Sequence, residues 1–172
     1  MKKNPLILII GMIMIIAITG CPYESPVPLS NSCNSSVDPD IIGTWVYPSM
    51  NDNKDTVVIM KFNEHEYYVE IHSKGLNGIN TISRGRGFVT LVKNQKIINY
   101  SELGQPDKFV FLRYEIRNKL MKTFSASDKV INKPFNSSGE LYDFFTRNMD
   151  NQGFYEPPDS AILVSGTILN KK

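Results

Sequence analysis

Hydrophobic and polar positions follow three successive rhythms along the chain. Met1-Lys2-Lys3-Asn4 is polar and positive, residues 6–18 are almost entirely Ile, Leu and Met, and Thr19 and Gly20 are small. That order predicts a secretory leader over 1–20. The apolar block, residues 6–18, is shorter than the roughly 18 to 20 residues that cross a bilayer core as a permanent helix, so a transmembrane anchor is the poorer reading. Residues 22–37 then carry Pro22, Pro26 and Pro28 among Ser and Asn, with little to bury. Such a segment is expected to stay unfolded. As a tether it would span about 20 to 24 Å.

From Asp38-Pro39-Asp40 onward the pattern becomes that of strands. Residues 41–47 read as a first strand, ended by Pro48 and a polar turn over 49–55. Residues 56–62 and 66–73 follow, joined by the hairpin-length loop Asn63-Glu64-His65. Tyr67, Val69 and Ile71 alternate with Tyr68, Glu70 and His72, the period-two signature of a sheet with one buried face. After a turn over 75–80 the meander continues through 82–92, where Gly85 and Gly87 read as bulge or bend positions. Strands over 96–101, 108–117 and 120–125 complete a run of seven, with Lys93-Asn94-Gln95 and Gly104-Gln105-Pro106 as turns. In 108–117, Val110, Leu112, Tyr114 and Ile116 share one face, and Arg113, Glu115 and Arg117 the other.

One helix interrupts the strands. Ser137 and Glu140 have capping-box spacing, Leu141, Phe144, Phe145, Asn148 and Met149 form an i, i+3, i+4 stripe, and Gly153 is placed to end it. A last strand over 161–169 follows Pro157-Pro158. The predicted fold class is all-β and mainly antiparallel: an eight-stranded up-and-down barrel over 38–172 with one short helix before the last strand. Closure removes exposed edges, and the helix plugs one end or lies along the wall.

Charge narrows the partners. The full chain carries net +2, but removing Lys2 and Lys3 with the leader leaves 17 Lys plus Arg against 17 Asp plus Glu. A neutral chain without a basic cluster offers no footprint for nucleic acid or anionic lipid. Two cysteines, Cys21 and Cys33, exclude a disulfide-stapled fold and a cysteine-rich metal site. Cys33, in a polar Ser/Asn stretch, reads as incidental.

Ile18-Thr19-Gly20-Cys21 resembles the bacterial lipobox. The resemblance implies diacylglycerol on the Cys21 thiol, cleavage between Gly20 and Cys21, and acylation of the new amino terminus, so that acyl chains on Cys21 make the bilayer a partner. At roughly 0.8 kcal/mol per buried methylene, two or more chains hold a protein stably where one does not. Domains would then be the leader 1–20, the lipidated cysteine and tether 21–37, and the barrel domain 38–172. Pro22 stands where inner-membrane retention uses aspartate, which implies the outer membrane in a Gram-negative cell and the outer face of the single membrane otherwise. Gly43-Thr44-Trp45 is similar to the Gly-x-Trp of lipocalin-like barrels, where the indole packs across the closed end. Small bacterial lipoproteins with lipocalin-like domains are the nearer comparison, since no Thr-Asp-Tyr motif occurs in mid-chain and 161–169 holds no arginine. An ordinary core role for Trp45 accounts for it equally well.

Catalytic patterns are absent. His65 and His72 are the only imidazoles, and Tyr68, Glu70 and His72 on one strand face fall short of the three or four convergent groups a metal needs. Arg84-Gly85-Arg86-Gly87 has strand on both sides, unlike a phosphate loop before a helix. No Gly-x-Ser-x-Gly occurs, and Glu64 and Glu66 sit on a loop. No cofactor is implied. The densest feature left is aromatic: Tyr47, Tyr67, Tyr68, Tyr100 and Tyr114, with Phe109 and Phe111 as an outward patch for a partner or the helix. The sequence thus reads as a non-catalytic, membrane-anchored binding or assembly module for an envelope protein or a small apolar ligand. An envelope hydrolase with a site assembled by folding, or a structural or immunity-type surface protein, are the alternatives.

Overall fold

A computed structural model describes residues 22–47, 55–74 and 79–165. The leader, Gly20, Cys21 and residues 166–169 of the expected last strand lie outside them. The elements are β1 (Glu24–Ser25), β2 (Gly43–Tyr47), β3 (Asp55–Lys61), β4 (Tyr67–Lys74), β5 (Asn80–Val92), β6 (Gln95–Glu102), β7 (Phe109–Arg117), β8 (Leu120–Ser125), α1 (Ser138–Asn148) and β9 (Asp159–Ser165). The fold is a mostly antiparallel sheet with one short helix, and β2–β9 are the eight strands that the pattern predicts. Neighbours run β1-β7-β6-β5-β4-β3-β2-β9-β8, with a further antiparallel ladder between β7 and β8.

Two hairpins show why this register is held. Lys93 and Asn94 both have positive φ, 47° and 64°, and so do Asn118 and Lys119, 51° and 63°. Two left-handed residues make a turn whose twist matches that of the flanking strands. The β5–β6 turn is therefore one residue tighter than Lys93-Asn94-Gln95, because Gln95 already pairs with Val92.

The glycines of β5 form no bulge, since its ladders to β4 and β6 run without a register shift. Gly85 instead leaves room: a Cβ there would lie 2.3 Å from Tyr100 Cε2 and 2.5 Å from the Ser101 carbonyl oxygen. The register shift that does occur is between β2 and β9, at Thr44/Trp45.

Alternation gives the sheet two buried faces. The first packs Trp45, Ile59, Tyr67, Val69, Val89, Ile98, Tyr100, Tyr114 and Met121 together with Ile41. On the second, α1 lays Leu141, Phe145 and Met149 over Val92, Ile97 and Phe111. Phe111 meets Phe145 at 5.3 Å between centroids, so α1 lies along the sheet. Ser137 Oγ accepts from the Glu140 N–H at 3.3 Å, while the Glu140 carboxylate turns to Lys133 at 3.2 Å. The helix ends through Met149, and Gly153, at φ 80°, lies beyond it in the following turn.

The flexible tether expected over 22–37 is overturned. Tyr23 and Leu29 are 6% and 1% exposed within the second-face core. Polar side chains satisfy buried backbone on both sides of this contact: Asn99 Oδ1 of β6 accepts from the Leu29 N–H at 2.7 Å, and Ser35 Oγ accepts from the Val89 N–H of β5 at 3.1 Å. Serines and asparagines that saturate buried donors are ordering groups, which composition alone does not reveal. The folded unit therefore includes the segment from Pro22 and does not start at residue 38.

Candidate functional site

The main polar cluster forms where the 3-10 turn Pro39–Ile41 crosses the end of the first face. Asp38 caps that turn, its Oδ1 accepting from the Asp40 N–H at 3.1 Å. Asp38 Oδ2 accepts from the Tyr114 hydroxyl at 2.6 Å and from Lys96 Nζ at 2.7 Å. The Asp38 N–H donates to the Tyr67 hydroxyl, which donates to the Asp38 carbonyl at 3.3 Å. Trp45 has no exposed area, and its indole N–H donates to the Ile41 carbonyl at 2.8 Å. The 38–42 segment is thus held over the buried ends of Tyr67, Tyr114 and Trp45 by side chains from β2, β4, β6 and β7.

Burial opposes ionisation of Asp38, whose side chain is 11% exposed, but donors from Lys96, Tyr114 and the Asp40 N–H outweigh it and hold its carboxyl below the usual range. Burial pushes Tyr67 up to about 12. Burial, then its bond to Asp38, also pushes Tyr114 upward. The cluster is a carboxylate held by the Tyr114 phenol and Lys96, with the Tyr67 phenol bonded to the backbone of the same residue. General acid or base catalysis works best with a pKa near the operating pH, and these shifts run away from it.

Two clefts meet at the Asp38–Lys96 pair. One, about 470 Å³, is lined by Asp40, Gln95, Arg113, Tyr114 and Ile116. The other, about 450 Å³, runs past Ser30, Ser35, Thr90 and Tyr142. Arg113 is fixed in the first by stacking 3.9 Å above the Phe124 ring and by Gln95 at 3.2 Å.

The residues singled out from sequence are scattered. Trp45 reaches this cluster; Gly20 and Cys21 lie outside the described residues. Tyr68, Glu70 and His72 do share a face: Glu70 accepts from Tyr68 at 3.1 Å and Arg84 at 3.0 Å, and His72 Nε2 is 3.4 Å from it. Hydrogen bonding from Arg84 holds Glu70 below the usual carboxylate range. His65 sits apart, with Nδ1 2.7 Å from the Ser35 carbonyl oxygen. Among the described residues no group of three His, Cys, Asp or Glu is gathered. Arg86 pairs with Glu66 and lies 4.1 Å over Phe62, and Glu64 pairs with Lys61. Cys33 is exposed. Tyr67, Tyr100 and Tyr114 go to the first face and Phe111 beneath α1, with Phe109 half-buried beside it. Sequence reasoning misses Asp38 and Lys96 as site residues; Asp38-Pro39-Asp40 reads there only as the start of the strand pattern.

Among the described residues no helix is long and apolar enough to cross a membrane. Comparison with protein-family models, curated proteins and solved structures finds no match for the chain.

Proposed function

We propose that this chain is an exported lipoprotein, anchored at an envelope membrane by acyl chains on Cys21, whose domain is a closed lipocalin-like barrel serving as a non-catalytic assembly module for a partner protein. The anchor rests on the leader and on Ile18-Thr19-Gly20-Cys21. Closure is supported by the ladders of β7 with both β6 and β8 and of β9 with both β2 and β8. An eight-stranded barrel has an interior just wide enough for side chains or one small ligand.

One observation favours a partner protein over a small apolar ligand. The first face is occupied by large groups, Trp45, Tyr67, Tyr100, Tyr114 and Met121, that pack on one another. Meanwhile a row of directly paired residues, Ile82, His72, Thr56, Val46, Ile162 and Leu120, crosses the second face of the sheet. Ile82, Ile162 and Leu120 in that row are 49%, 54% and 37% exposed. Apolar surface gathered in a row marks contact surfaces more often than isolated apolar residues do.

The outer membrane is the proposed site in a Gram-negative cell, because Pro22 and not aspartate follows Cys21. Photocrosslinking from Ile162 and from Asn63 in intact cells tests the module. A discrete adduct from Ile162 alone supports the partner reading. Lipid extracted with the purified protein, and no adduct, would replace it with the small-ligand reading.

A further inference from the structure

We infer that the end of the sheet around Pro22 and Ser127 is a membrane-facing surface that rests directly on lipid headgroups, fixing how the domain stands on the bilayer. This depends on acylation of Cys21 as proposed above. What adds to it is the order of the chain immediately after that cysteine.

Pro22 bridges to Ser127, and the Tyr23 N–H donates to the Ala126 carbonyl at 2.8 Å. Tyr23 is 6% exposed, stacked at 6.0 Å on Phe111 and edge-on to Phe135. Glu24 and Ser25 pair with Val110 and Phe109, and Ser25 is 1% exposed. Four successive residues are therefore fixed to β7 and to the strand end after β8. Consecutive Cα atoms are about 3.8 Å apart, so the attachment point stands one residue from the folded surface and has none of the 20 to 24 Å of slack that a tether would give.

The surroundings suit a headgroup layer. Glu24 and Lys108 form an exposed pair at 3.5 Å, and Asp128 and Lys129 are exposed beside Ser127. Mixed charges of this kind sit against zwitterionic headgroups and not in the acyl region. The opposite end of the same strands is the Asn118-Lys119 turn. At about 3.3 Å per residue through β8, that turn is roughly 25 Å from Ser127. Leu120, at one end of the row that starts from Ile82, begins β8 beside it, so that end of the row is presented away from the bilayer.

The test uses the full-length lipidated protein in a Cys33→Ser background, in phosphatidylcholine vesicles containing a headgroup-nitroxide lipid. A fluorophore is placed through Asp128→Cys or through Asn118→Cys, and acylation of Cys21 is read by mass on the same samples. Quenching should be several-fold stronger at position 128 than at 118. A ten-residue Gly/Ser insertion between Cys21 and Pro22 should remove the difference. Equal quenching in acylated protein, or a difference that survives the insertion, overturns the surface while leaving the anchor intact. Absence of acyl chains on Cys21 overturns the anchor and the surface together.

Discussion

The Tyr114 hydroxyl reaches the Asp38 carboxylate at 2.6 Å across 76 positions of sequence. The contact fastens the turn before β2 to the middle of β7, so it couples the start of the strand run to its far side. A hydrogen bond to a charged group is worth about 1.5 to 3 kcal/mol. Tyr114→Phe and Asp38→Ala should each lower unfolding free energy by about that amount, and a double-mutant cycle should give a coupling of about 1 kcal/mol or more. The Lys96 arm, 46% exposed, should contribute under about 1 kcal/mol.

The same carboxylate predicts an acid response. Its folded pKa is depressed, so its contribution is present above the unfolded value, about 3.9, and is lost as pH falls through the folded value. Denaturant midpoints followed downward from neutral pH should fall less steeply in Asp38→Asn than in the parent. An unchanged slope would remove Asp38 from the account of stability.

Tyr67 predicts the mirror response. Its folded pKa, about 12, stands above an unfolded value near 10, so its contribution is full below pH 10 and is lost as pH rises toward 12. Phenolate absorbance should show this tyrosine ionising above the pH at which exposed tyrosines ionise. Tyr67→Phe should flatten the alkaline limb.

Gly85 and Gly87 separate close approach from chain flexibility. A Cβ at 85 would meet the Tyr100 ring and backbone oxygen, whereas at 87 its nearest neighbours are at 3.2 and 3.3 Å. Gly85→Ala should cost about 1 to 3 kcal/mol as overpacking. Gly87→Ala should cost clearly less, and thermal unfolding of the two variants decides the order.

How much of this was legible depends on distance along the chain. Strands such as β4 and β7 were legible because period-two alternation is local, and α1 because Ser137 and Leu141-Phe144-Phe145 carry both its cap and its stripe. The Asp38 cluster was not, because residues 38, 67, 96 and 114 come from separate elements and none has an unusual neighbour in sequence. The segment 22–37 was misread because a Ser/Asn-rich stretch looks solvated unless Leu29 and Tyr23 are seen to bury and Asn99 to receive the backbone. Leu29→Ala should therefore cost about 2 to 5 kcal/mol. A chain starting at residue 38 should unfold at lower denaturant than one starting at residue 22.

The central claim is that Cys21 holds the protein at a membrane. Incorporation of radiolabelled palmitate, read with gel mobility in the parent, Cys21→Ser and Cys33→Ser proteins, tests it most directly. Label in the parent and in Cys33→Ser, with an unlabelled, slower-migrating precursor for Cys21→Ser, is the predicted result. Label retained by Cys21→Ser, or lost from Cys33→Ser, would contradict it.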